Sequence, residues 1–584
     1  MFLSMCFFSV LLSARGFELT VLHTNDVHSR IEEIDPTGGS CNAAEAEAGE
    51  YYGGMARMAT KIREMRRNDD NVVLLDGGDR FQGTPWFTEF DGLASSRFMN
   101  ILQYNAMAPG NHDFDNGVAG LVLFLRNVSF PVLACNIDTS GEPVFRNYRS
   151  PRKIGPQSMT PDLRGLTLPS VVLDIGGEKV GIVGYILANT PAISPTGNVV
   201  FMDEVESVQA EVTKLLGQGV NKIIALGHAG YSKDQDVARR VSGVDVVVGG
   251  HTNTFLYTGA PPLSEVPLGP YPLLVDSEVD AGRQVPVVQA YAYGKYLGHL
   301  RLTFDSDGDL LRWSGNPILL DKTVPKDPDV LEVVTDLKEK LNHTKEVIGR
   351  TNVFLQGIYE TCTVMECNMG NLITDAMVHQ NIKYPDGTYW NDVSMAAYNS
   401  DSIRASMRMG LIDIESVLFT LPFGNTFDIV ELRGEHLYEV FEHSGSMWSS
   451  GEFLQVSGIL VQYDLTRPRG RRVVSLESRC TDCDVPEFTP VQRDAVYKVI
   501  LPSHLANGGR GYGMISDNKL SHHIPAELDS EVLIGYIRAA SPITTGVERR
   551  INLSEAPPCT SSGTAAVVLN LGVLMFVVLC AVSF

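Results

Sequence analysis

Five short motifs in the first half of the chain carry side chains that bind divalent metal ions. Each contains Asp, His or Asn, and all but the first also contain glycine: Asp26-x-His28, Gly77-Gly78-Asp79, Gly110-Asn111-His112-Asp113, Gly227-His228 and Gly249-Gly250-His251. Carboxylate, imidazole and amide ligands in this mixture suit transition metals such as zinc or manganese. Two ions that share a carboxylate, roughly 3.5 to 4 Å apart, activate water and stabilise an in-line phosphoryl displacement. One such motif is usually an ordinary loop, but five in order indicate a two-metal site.

A short apolar run precedes each motif and must position its ligands. Residues 17–22, 72–75 and 244–248 are such runs, and they alternate with helical stretches at 55–67 and 204–216. The alternation predicts buried strands joined by helices, the βαβ arrangement. Because functional groups gather at the carboxyl ends of these strands, we expect the five motifs to meet there.

The pattern changes near residue 326. Val330, Val334 and Leu341 recur at helical spacing, Asp327 is placed to cap a helix, and Pro328 fits its first turn. We therefore predict an α/β domain over residues 17–325, an interdomain helix over 326–345, and a second domain of mixed helices and strands over 346–552.

Length and charge limit the class of protein. The chain has 584 residues, of which 44% are hydrophobic and 20% charged, enough for two or three globular units. A formal net charge of -22 argues against nucleic acid or an anionic membrane face as a partner, because binding to such surfaces needs an excess of Lys and Arg. A phosphorylated substrate would therefore need local positive charge, which bound metal ions supply.

Both ends of the chain look like targeting segments. Residues 1–16 are apolar and end in a small-x-small sequence, which predicts a signal peptide; a buried strand is the alternative, because a positive start is missing. Residues 553–584 have the layout of a GPI signal with an apolar tail that is removed. No Lys or Arg follows the tail, which disfavours the alternative of a retained spanning helix. The candidate attachment residues are Ser561, Ser562 and Gly563.

Cysteine spacing indicates an oxidising compartment. In an exported chain, neighbouring cysteines form disulfides, so we expect Cys362 to pair with Cys367 and Cys480 with Cys483. Zinc binding by Cys480 and Cys483 is the weaker alternative, because no matching ligand pair lies nearby.

Two further expectations follow from export. Cys41 has no near neighbour, and Cys135 is its candidate disulfide partner. The glycosylation acceptors would be Asn127, Asn342 and Asn552.

The order of the five motifs resembles the calcineurin-like metallophosphoesterases. Residues 23–28 and 249–254 look like the 5'-nucleotidase branch, and the resemblance to animal ecto-5'-nucleotidases extends from Phe17 to the tail. It implies an N-terminal metallophosphoesterase α/β sandwich joined by a helix to a C-terminal α+β nucleotide-binding domain. It also implies two divalent ions, expected to be zinc. The first ion would take Asp26, His28 and Asp79, and the second Asp79, Asn111, His228 and His251.

The resemblance also assigns catalytic and substrate-binding roles. His112 would stabilise the phosphoryl transition state and assist the leaving oxygen, while Asp115 orients its ring. Phe423 matches a base-stacking residue and Arg404 a phosphate-binding one, although residue types alone favour a core Phe and a surface Arg. The implied substrate contacts are Asn253, Asn399, Arg404, Phe423, His504 and Arg510.

Several positions depart from the family pattern. Thr363 stands where an Arg would meet the phosphate, His504 replaces a stacking Phe, and residues 400–402 replace a glycine run. Arg510 stands where an Asp would bind the ribose, and a guanidinium donates hydrogen bonds but accepts none. We expect weaker ribose discrimination and some anion binding if Arg510 faces the cleft; a solvent-facing Arg510 is the alternative.

The sequence thus predicts hydrolysis of nucleoside 5'-monophosphates, AMP above all, by a lipid-anchored enzyme on the outer face of the plasma membrane. An apyrase or nucleotide-sugar hydrolase of the same family is one alternative. A catalytically silent surface nucleotide-binding or adhesion protein is another, although a silent protein would not need the full ligand set with His112 and Asp115. The oligomeric state stays open, with a homodimer as one option.

Overall fold

The computed structural model describes residues 16–41, 48–146, 167–382, 390–525 and 527–554. The predicted signal peptide up to residue 15 and the predicted GPI signal from residue 555 lie outside these ranges, as do Ser561, Ser562 and Gly563. Across the described ranges, no helix has the length and apolar character needed to cross a bilayer.

The first domain alternates strands and helices. Its strands are β1 (Phe17–Thr24), β2 (Val72–Asp76), β3 (Ala106–Met107), β4 (Ile137–Asp138), β5 (Ser170–Ile175), β6 (Glu178–Ile186), β7 (Val200–Phe201), β8 (Ile223–His228), β9 (Val246–Val248), β10 (Leu273–Asp276), β11 (Gln284–Val288), β12 (Tyr296–Phe304), β13 (Leu310–Gly315) and β14 (Ile318–Leu319). Its helices are α1 (Met55–Asn68), α2 (Pro85–Phe90), α3 (Leu93–Leu102), α4 (Gly117–Asn127), α5 (Pro143–Arg146), α6 (Glu204–Gly217) and α7 (Tyr231–Arg240).

Two sheets pack face to face in this domain. One has the strand order β13-β12-β1-β2-β3 and the other β10-β11-β9-β8-β6-β5. Val21 and Val73 from the first sheet form one buried cluster with Ile224 and Val246 from the second. Strands β1, β2 and β3 run parallel, as do β6, β8 and β9. This is the α/β sandwich that the family resemblance implied.

Helices cover the outer faces of the two sheets, so the central strands are apolar on both sides. In β2, Val73 packs between the sheets, whereas Leu74 packs against a cluster that contains Met58 of α1 and Phe98 of α3. Alternate residues of a strand point to opposite faces, and a parallel strand covered on both sides therefore reads as a continuous apolar run.

A helix connects the two halves of the chain. Helix α8 (Pro328–Lys338) begins with Pro328 in its first turn, and the Asp327 carboxylate accepts the backbone N–H of Val330 at 3.1 Å. Val330 and Val334 are buried against the core of the first domain. A 3₁₀ helix, Glu339–Lys345, continues to the second domain. The exact domain boundaries stay a prediction.

The second domain mixes parallel and antiparallel strands. They are β15 (Val347–Thr351), β16 (Met395–Asn399), β17 (Gly410–Asp413), β18 (Phe427–Arg433), β19 (Leu454–Ser457), β20 (Ile459–Asp464), β21 (Val473–Arg479), β22 (Phe488–Pro490), β23 (Val496–Pro502), β24 (Ser521–His523) and β25 (Ile551–Ser554). The helices are α9 (Tyr359–Cys362), α10 (Asn368–Ile382), α11 (Ile414–Thr420), α12 (Gly434–Ser446), α13 (Ser503–Ala506), α14 (Gly513–Asn518) and α15 (Asp529–Ala540).

The main sheet of this domain has the order β19-β16-β23-β18-β24, and a second sheet has the order β22-β21-β20-β25. Ala396 and Ile500 of the main sheet face α10 and α15, whereas Ala397 and Val499 face the cluster that contains α12. The domain is α+β, as expected.

Candidate active site

Strained backbone conformations place the candidate metal ligands. The motifs follow β1, β2, β3, β8 and β9, and four ligand residues have positive φ angles: 51° at Asp26, 50° at His28, 58° at Asp79 and 78° at His251. A left-handed backbone costs a non-glycine residue about 1–2 kcal/mol. Packing must therefore hold these turns, and such strain is typical of functional sites.

Asp79 lies at the centre of the cluster. Its Oδ2 is 3.0 Å from Nε2 of His228 and 3.9 Å from Nε2 of His28, while its Oδ1 accepts the backbone N–H of His112 at 2.9 Å. Two groups of candidate ligands share this carboxylate: Asp26, His28 and Asp79, and Asp79, His228 and His251. The ligand atoms within each group lie within 4.8 Å of one another.

Backbone carbonyls orient two of the imidazoles. Nδ1 of His228 lies 2.5 Å from the carbonyl oxygen of Gly77, and Nδ1 of His28 lies 3.2 Å from that of Phe81. If each Nδ1 carries the ring proton and donates a hydrogen bond to the carbonyl, each Nε2 keeps its lone pair on the side of Asp79. This arrangement is common among metal-binding histidines.

The remaining ligands are tied to the same cluster. Asp26 Oδ2 accepts the backbone N–H of His251 at 2.9 Å, and Nδ1 of His251 lies 2.8 Å from Oδ1 of Asn111. Gly110 permits this close packing, because a Cβ at that position would lie 2.0 Å from Asp79 Oδ1.

The electrostatics of Asp26, His28 and His251 fit a bound cation, whereas at His228 the Asp79 carboxylate outweighs burial and raises the pKa to about 10. Burial lowers the pKa of His28 well below its usual value and lowers that of His251 to about 3, so both imidazoles are neutral and able to ligate. Burial raises the pKa of Asp26 to about 7, a cost that a divalent cation would relieve. Nε2 of His28 lies 3.0 Å from Nη2 of Arg404, a cationic donor.

His112 and Asp115 form a hydrogen-bonded pair beside the cluster. Nδ1 of His112 lies 2.8 Å from Oδ2 of Asp115, which leaves Nε2 for other partners. Burial disfavours the imidazolium, but the Asp115 and Asp79 carboxylates outweigh it and raise the pKa of His112. The pair can therefore hold a proton close to the candidate ligands.

Side chains from the second domain reach this cluster. Arg404 contacts His28, and the Phe423 ring lies 5.8 Å from the Arg404 guanidinium carbon and 5.6 Å from the His112 ring. Asn399 donates to Asp401 Oδ1 at 2.5 Å. The buried Oδ1 atoms of Asn399 and Asn253 lack hydrogen-bond partners within the described structure, and both are therefore candidate acceptors.

Arg510 lies close enough to the cluster for its charge to help lower the pKa of His251, and it forms an unexpected ion pair. Its guanidinium pairs with Asp401 and lies 3.9 Å from Glu452, and its side chain is 19% exposed. The alternative of a solvent-facing Arg510 is therefore wrong. Burial and the charge of Arg510 also lower the pKa of His504. Thr363 is buried and donates to the carbonyl of Tyr359 at 2.8 Å, which holds its hydroxyl within α9 and the following turn.

His504 packs over the glycine turn that carries Arg510. It lies in α13, and a Cβ at Gly509 would come within 2.3 Å of its Nε2. The close approach of ring and backbone explains why this turn needs a glycine.

Asp113 has a role that the sequence did not reveal. Its carboxylate accepts backbone N–H groups from Arg80 at 2.9 Å, Gly110 at 2.7 Å and Asp79 at 3.2 Å. It thereby joins the loops after β2 and β3. The only sequence signal was its place in the third motif.

A second support lies beneath the His228 and His251 loops. Asp234 accepts the Tyr185 hydroxyl at 2.7 Å and the Gln289 amide at 2.8 Å. The Gln289 amide also donates to the carbonyl of Gly250 at 3.1 Å, and its Oε1 accepts the N–H of Thr254 at 3.0 Å. These residues come from separate elements, and no sequence pattern linked them.

The cysteines are partly as expected. Cys362 is bonded to Cys367 and Cys480 to Cys483. The pairing of Cys41 with Cys135 is wrong, since Cys135 carries a free thiol. Cys135 packs beside the outer cluster of the second sheet, where burial raises the pKa of its thiol to about 12.

The three glycosylation acceptors differ in exposure. Asn342 and Asn552 are exposed. Asn127 is half-buried, and its Nδ2 donates to the carbonyl of Leu123 at 2.8 Å. Glycosylation at these positions stays a prediction.

Comparison with known proteins agrees with this geometry. Residues 19–255 match the family described as calcineurin-like phosphoesterase, and residues 347–517 match the 5'-nucleotidase C-terminal domain. The fold and site therefore define a metal-dependent phosphoesterase, a hydrolase.

Similar proteins of known name assign the chain to one family within this class. The 5'-nucleotidase of Mus musculus is 48% identical over 552 residues, covering 93% of this chain and 92% of that protein. The 5'-nucleotidase of Homo sapiens is 47% identical over 573 residues, covering 97% and 96%. The crystal structure of a 5'-nucleotidase precursor from Thermus thermophilus superposes with a TM-score of 0.82 at 36% identity, covering 93% of this chain and all of that one (100%). The chain belongs to the 5'-nucleotidase family.

Proposed function

We propose that the protein hydrolyses nucleoside 5'-monophosphates, with AMP the leading substrate, at a two-metal site outside the cell. The observation that carries the proposal is the position of Asp79, which two groups of candidate ligands share beside the His112–Asp115 pair. Zinc is the expected metal, because four-coordinate sites rich in imidazole and carboxylate suit it.

The ligand atoms divide between two ions. Asp26, His28 and Asp79 would hold one, and Asp79, Asn111, His228 and His251 the other. When bound, the ions would supply a nucleophile derived from water and stabilise charge on the phosphoryl oxygens.

Side chains of the protein would orient the phosphate and protonate the leaving group. Arg404 reaches the cluster from the second domain, so its guanidinium could turn from His28 to phosphate oxygens and orient them by paired hydrogen bonds. His112, held by Asp115 with a raised pKa, would donate a proton from Nε2 to the leaving 5'-oxygen.

Nucleoside binding would fall mainly to the second domain. Phe423 offers a ring for base stacking next to His112. Asn399 and, from the first domain, Asn253 offer Oδ1 acceptors that have no hydrogen-bond partner among the described residues. Arg510 carries positive charge into the cleft, but Asp401 and Glu452 offset it. Asp401 supplies a carboxylate close to the turn where the family places its ribose-binding one. These contacts support a nucleoside site with altered ribose recognition.

Export and lipid anchoring remain part of the proposal. The two short-range disulfides agree with an oxidising compartment. We propose that the chain is attached through a GPI anchor at one of Ser561, Ser562 and Gly563. A phosphatidylinositol-specific phospholipase should then release active protein from washed membranes. Retention under conditions that release a control GPI protein would favour a spanning helix.

A substrate panel tests the activity. Phosphate release is measured from AMP, ADP, ATP and UDP-glucose, before and after chelation and with zinc restored. The proposal expects AMP to be fastest, with loss on chelation and recovery on addition of zinc. Faster release from ADP and ATP would indicate an apyrase, and faster turnover of UDP-glucose a nucleotide-sugar hydrolase. Nucleotide binding without turnover would indicate a silent binder.

A further inference from the structure

An arginine-rich turn joins β20 to β21. Residues 467–472 contain Arg467, Arg469, Arg471 and Arg472, in a chain whose net charge is -22. Arg467, Arg469 and Arg471 are exposed. Arg467 pairs with Asp464 at 3.1 Å, whereas within the described residues Arg469 and Arg471 form no ion pair.

The turn concentrates like charge that its surroundings compensate only in part, because Asp464 pairs with Arg467 and Glu442 lies beside Arg472. Arg472 is held by the carbonyl of Gly445 at 2.8 Å, and burial together with the charge of Arg469 lowers the pKa of its guanidinium. Clustered like charges repel one another, so a cluster on an acidic protein is more readily explained by an anionic partner than by folding.

The position of the turn identifies that partner. Strand β25 pairs in parallel with β20, Ser554 lies opposite Asp464, and the backbone N–H of Leu465 donates to the carbonyl of Ser554 at 3.3 Å. The turn therefore lies beside the last described residue of the chain, at the end from which the apolar tail at residues 565–584 continues.

The reach of the chain limits the distance to a membrane. In the anchored form, fewer than ten residues separate Ser554 from the candidate attachment residues Ser561 to Gly563. At no more than about 3.3–3.6 Å per residue, that segment spans at most about 30 Å. The turn is therefore among the parts of the second domain nearest to the bilayer.

We propose that residues 467–472 form a membrane-contact surface, in which Arg469 and Arg471 bind the phosphate groups of phospholipid headgroups. The proposal rests on the lipid anchoring proposed above. Guanidinium groups match phosphate oxygens in a paired geometry, and a basic cluster beside a lipid anchor adds a second attachment signal. The contact would fix the orientation of the second domain on the membrane.

A distance measurement on the protein purified from membranes, in its anchored form, tests the contact. The protein is reconstituted into phosphatidylcholine–phosphatidylserine vesicles that carry a headgroup quencher, with a fluorophore at Arg469→Cys or, as a control, at Arg312→Cys on β13, which is also exposed. We expect quenching at position 469 and none at 312. Protein purified from membranes that does not stay on the vesicles would contradict the anchor. Stable attachment with equal signals at both positions would overturn the membrane contact and leave the anchor intact.

Charge removal tests the chemistry. The double variant Arg469→Gln/Arg471→Gln is compared with Arg240→Gln/Arg312→Gln, which removes the same charge from exposed sites in the first domain. After phospholipase release, partition onto the same vesicles should fall about thirtyfold for the turn variant, about fivefold per arginine, and stay unchanged for the control. Wild-type AMP hydrolysis in solution verifies folding. Equal losses in both variants, or binding to heparin but not to vesicles, would overturn the proposal.

Discussion

The two sides of the candidate cleft are built in different ways. On the metal side, turns at the ends of parallel strands place the ligands, and backbone groups hold them. The carbonyls of Gly77 and Phe81 orient imidazoles, and the Asp113 carboxylate accepts backbone N–H groups at four loop positions. On the nucleoside side, side chains hold one another, as Arg510 holds Asp401. Ligands that are held by backbone groups tolerate few substitutions, whereas two side chains that hold each other can be substituted together. Departures from the family pattern fall on the second side.

The largest expected effect is on the metal side. Asp79→Asn keeps the size of the side chain, and Asn tolerates the positive φ at this position, so the fold should persist. Losing the shared charge should remove several kcal/mol of transition-state stabilisation. We expect kcat/KM for AMP to fall by about 10³-fold or more, together with the bound zinc measured by elemental analysis.

Asp307→Asn is the matched control, because it removes the same charge from an exposed turn of the first domain. It should retain both activity and metal. Full activity in the Asp79 variant would contradict the two-metal site.

The second-largest effect is expected where Arg404 of the nucleoside side contacts His28 of the metal side. Arg404→Gln removes the guanidinium that reaches His28 and should lower kcat/KM by about 10²–10³-fold, the usual cost of losing a donor to developing charge. Arg408→Gln is the control, since Arg408 lies four residues later and its guanidinium lies near Asp35 and Glu50. Similar losses in both variants would mean that the charge supports the domain contact and not the phosphate.

The sequence predicted the metal side well because its signals are local. The apolar runs at residues 17–22 and 72–75, which were predicted to be strands, lie in β1 and β2. The helices expected over residues 55–67 and 204–216 are α1 and α6. Residue type and strand–turn order are enough to bring such ligands to one edge of a sheet.

The supporting contacts could not be predicted in this way. Tyr185, Asp234 and Gln289 come from three elements, and Asp401 meets Arg510 from another part of the chain. Each pairing depends on tertiary packing, and none leaves a periodic pattern. Read alone, Arg404 looked like a surface charge, because its environment is formed by the other domain.

A smaller effect is expected from the support beneath the His251 loop. Gln289→Leu preserves the approximate volume but removes the hydrogen bonds to Gly250 and Thr254. We expect zinc affinity, measured by competition with a chelator, to fall about 10–100-fold, with kcat recovered at saturating zinc. Gln284→Leu, at an exposed position on β11, the strand that precedes Gln289, should leave zinc affinity unchanged. Loss of kcat that zinc does not restore would indicate a direct catalytic effect instead.

The smallest effect on turnover is expected from the Arg510–Asp401 pair, where two roles must be separated. Arg510→Ala leaves the buried Asp401 carboxylate without its partner, which should lower the free energy of unfolding by about 3 kcal/mol. The double variant Asp401→Asn/Arg510→Ala removes both charges and should recover most of that loss. If the guanidinium also binds phosphate, KM for AMP should stay about fivefold raised in the double variant with kcat unchanged, because the lost binding is common to ground and transition states. If the pair is purely structural, KM should return to the wild-type value together with stability.

The ratio of AMP to deoxy-AMP turnover gives an independent test of whether Arg510 contacts the nucleotide. Arg510→Asp returns a carboxylate to the glycine turn and should raise the preference for AMP. An unchanged ratio together with a normal KM in the double variant would show that Arg510 does not contact the nucleotide.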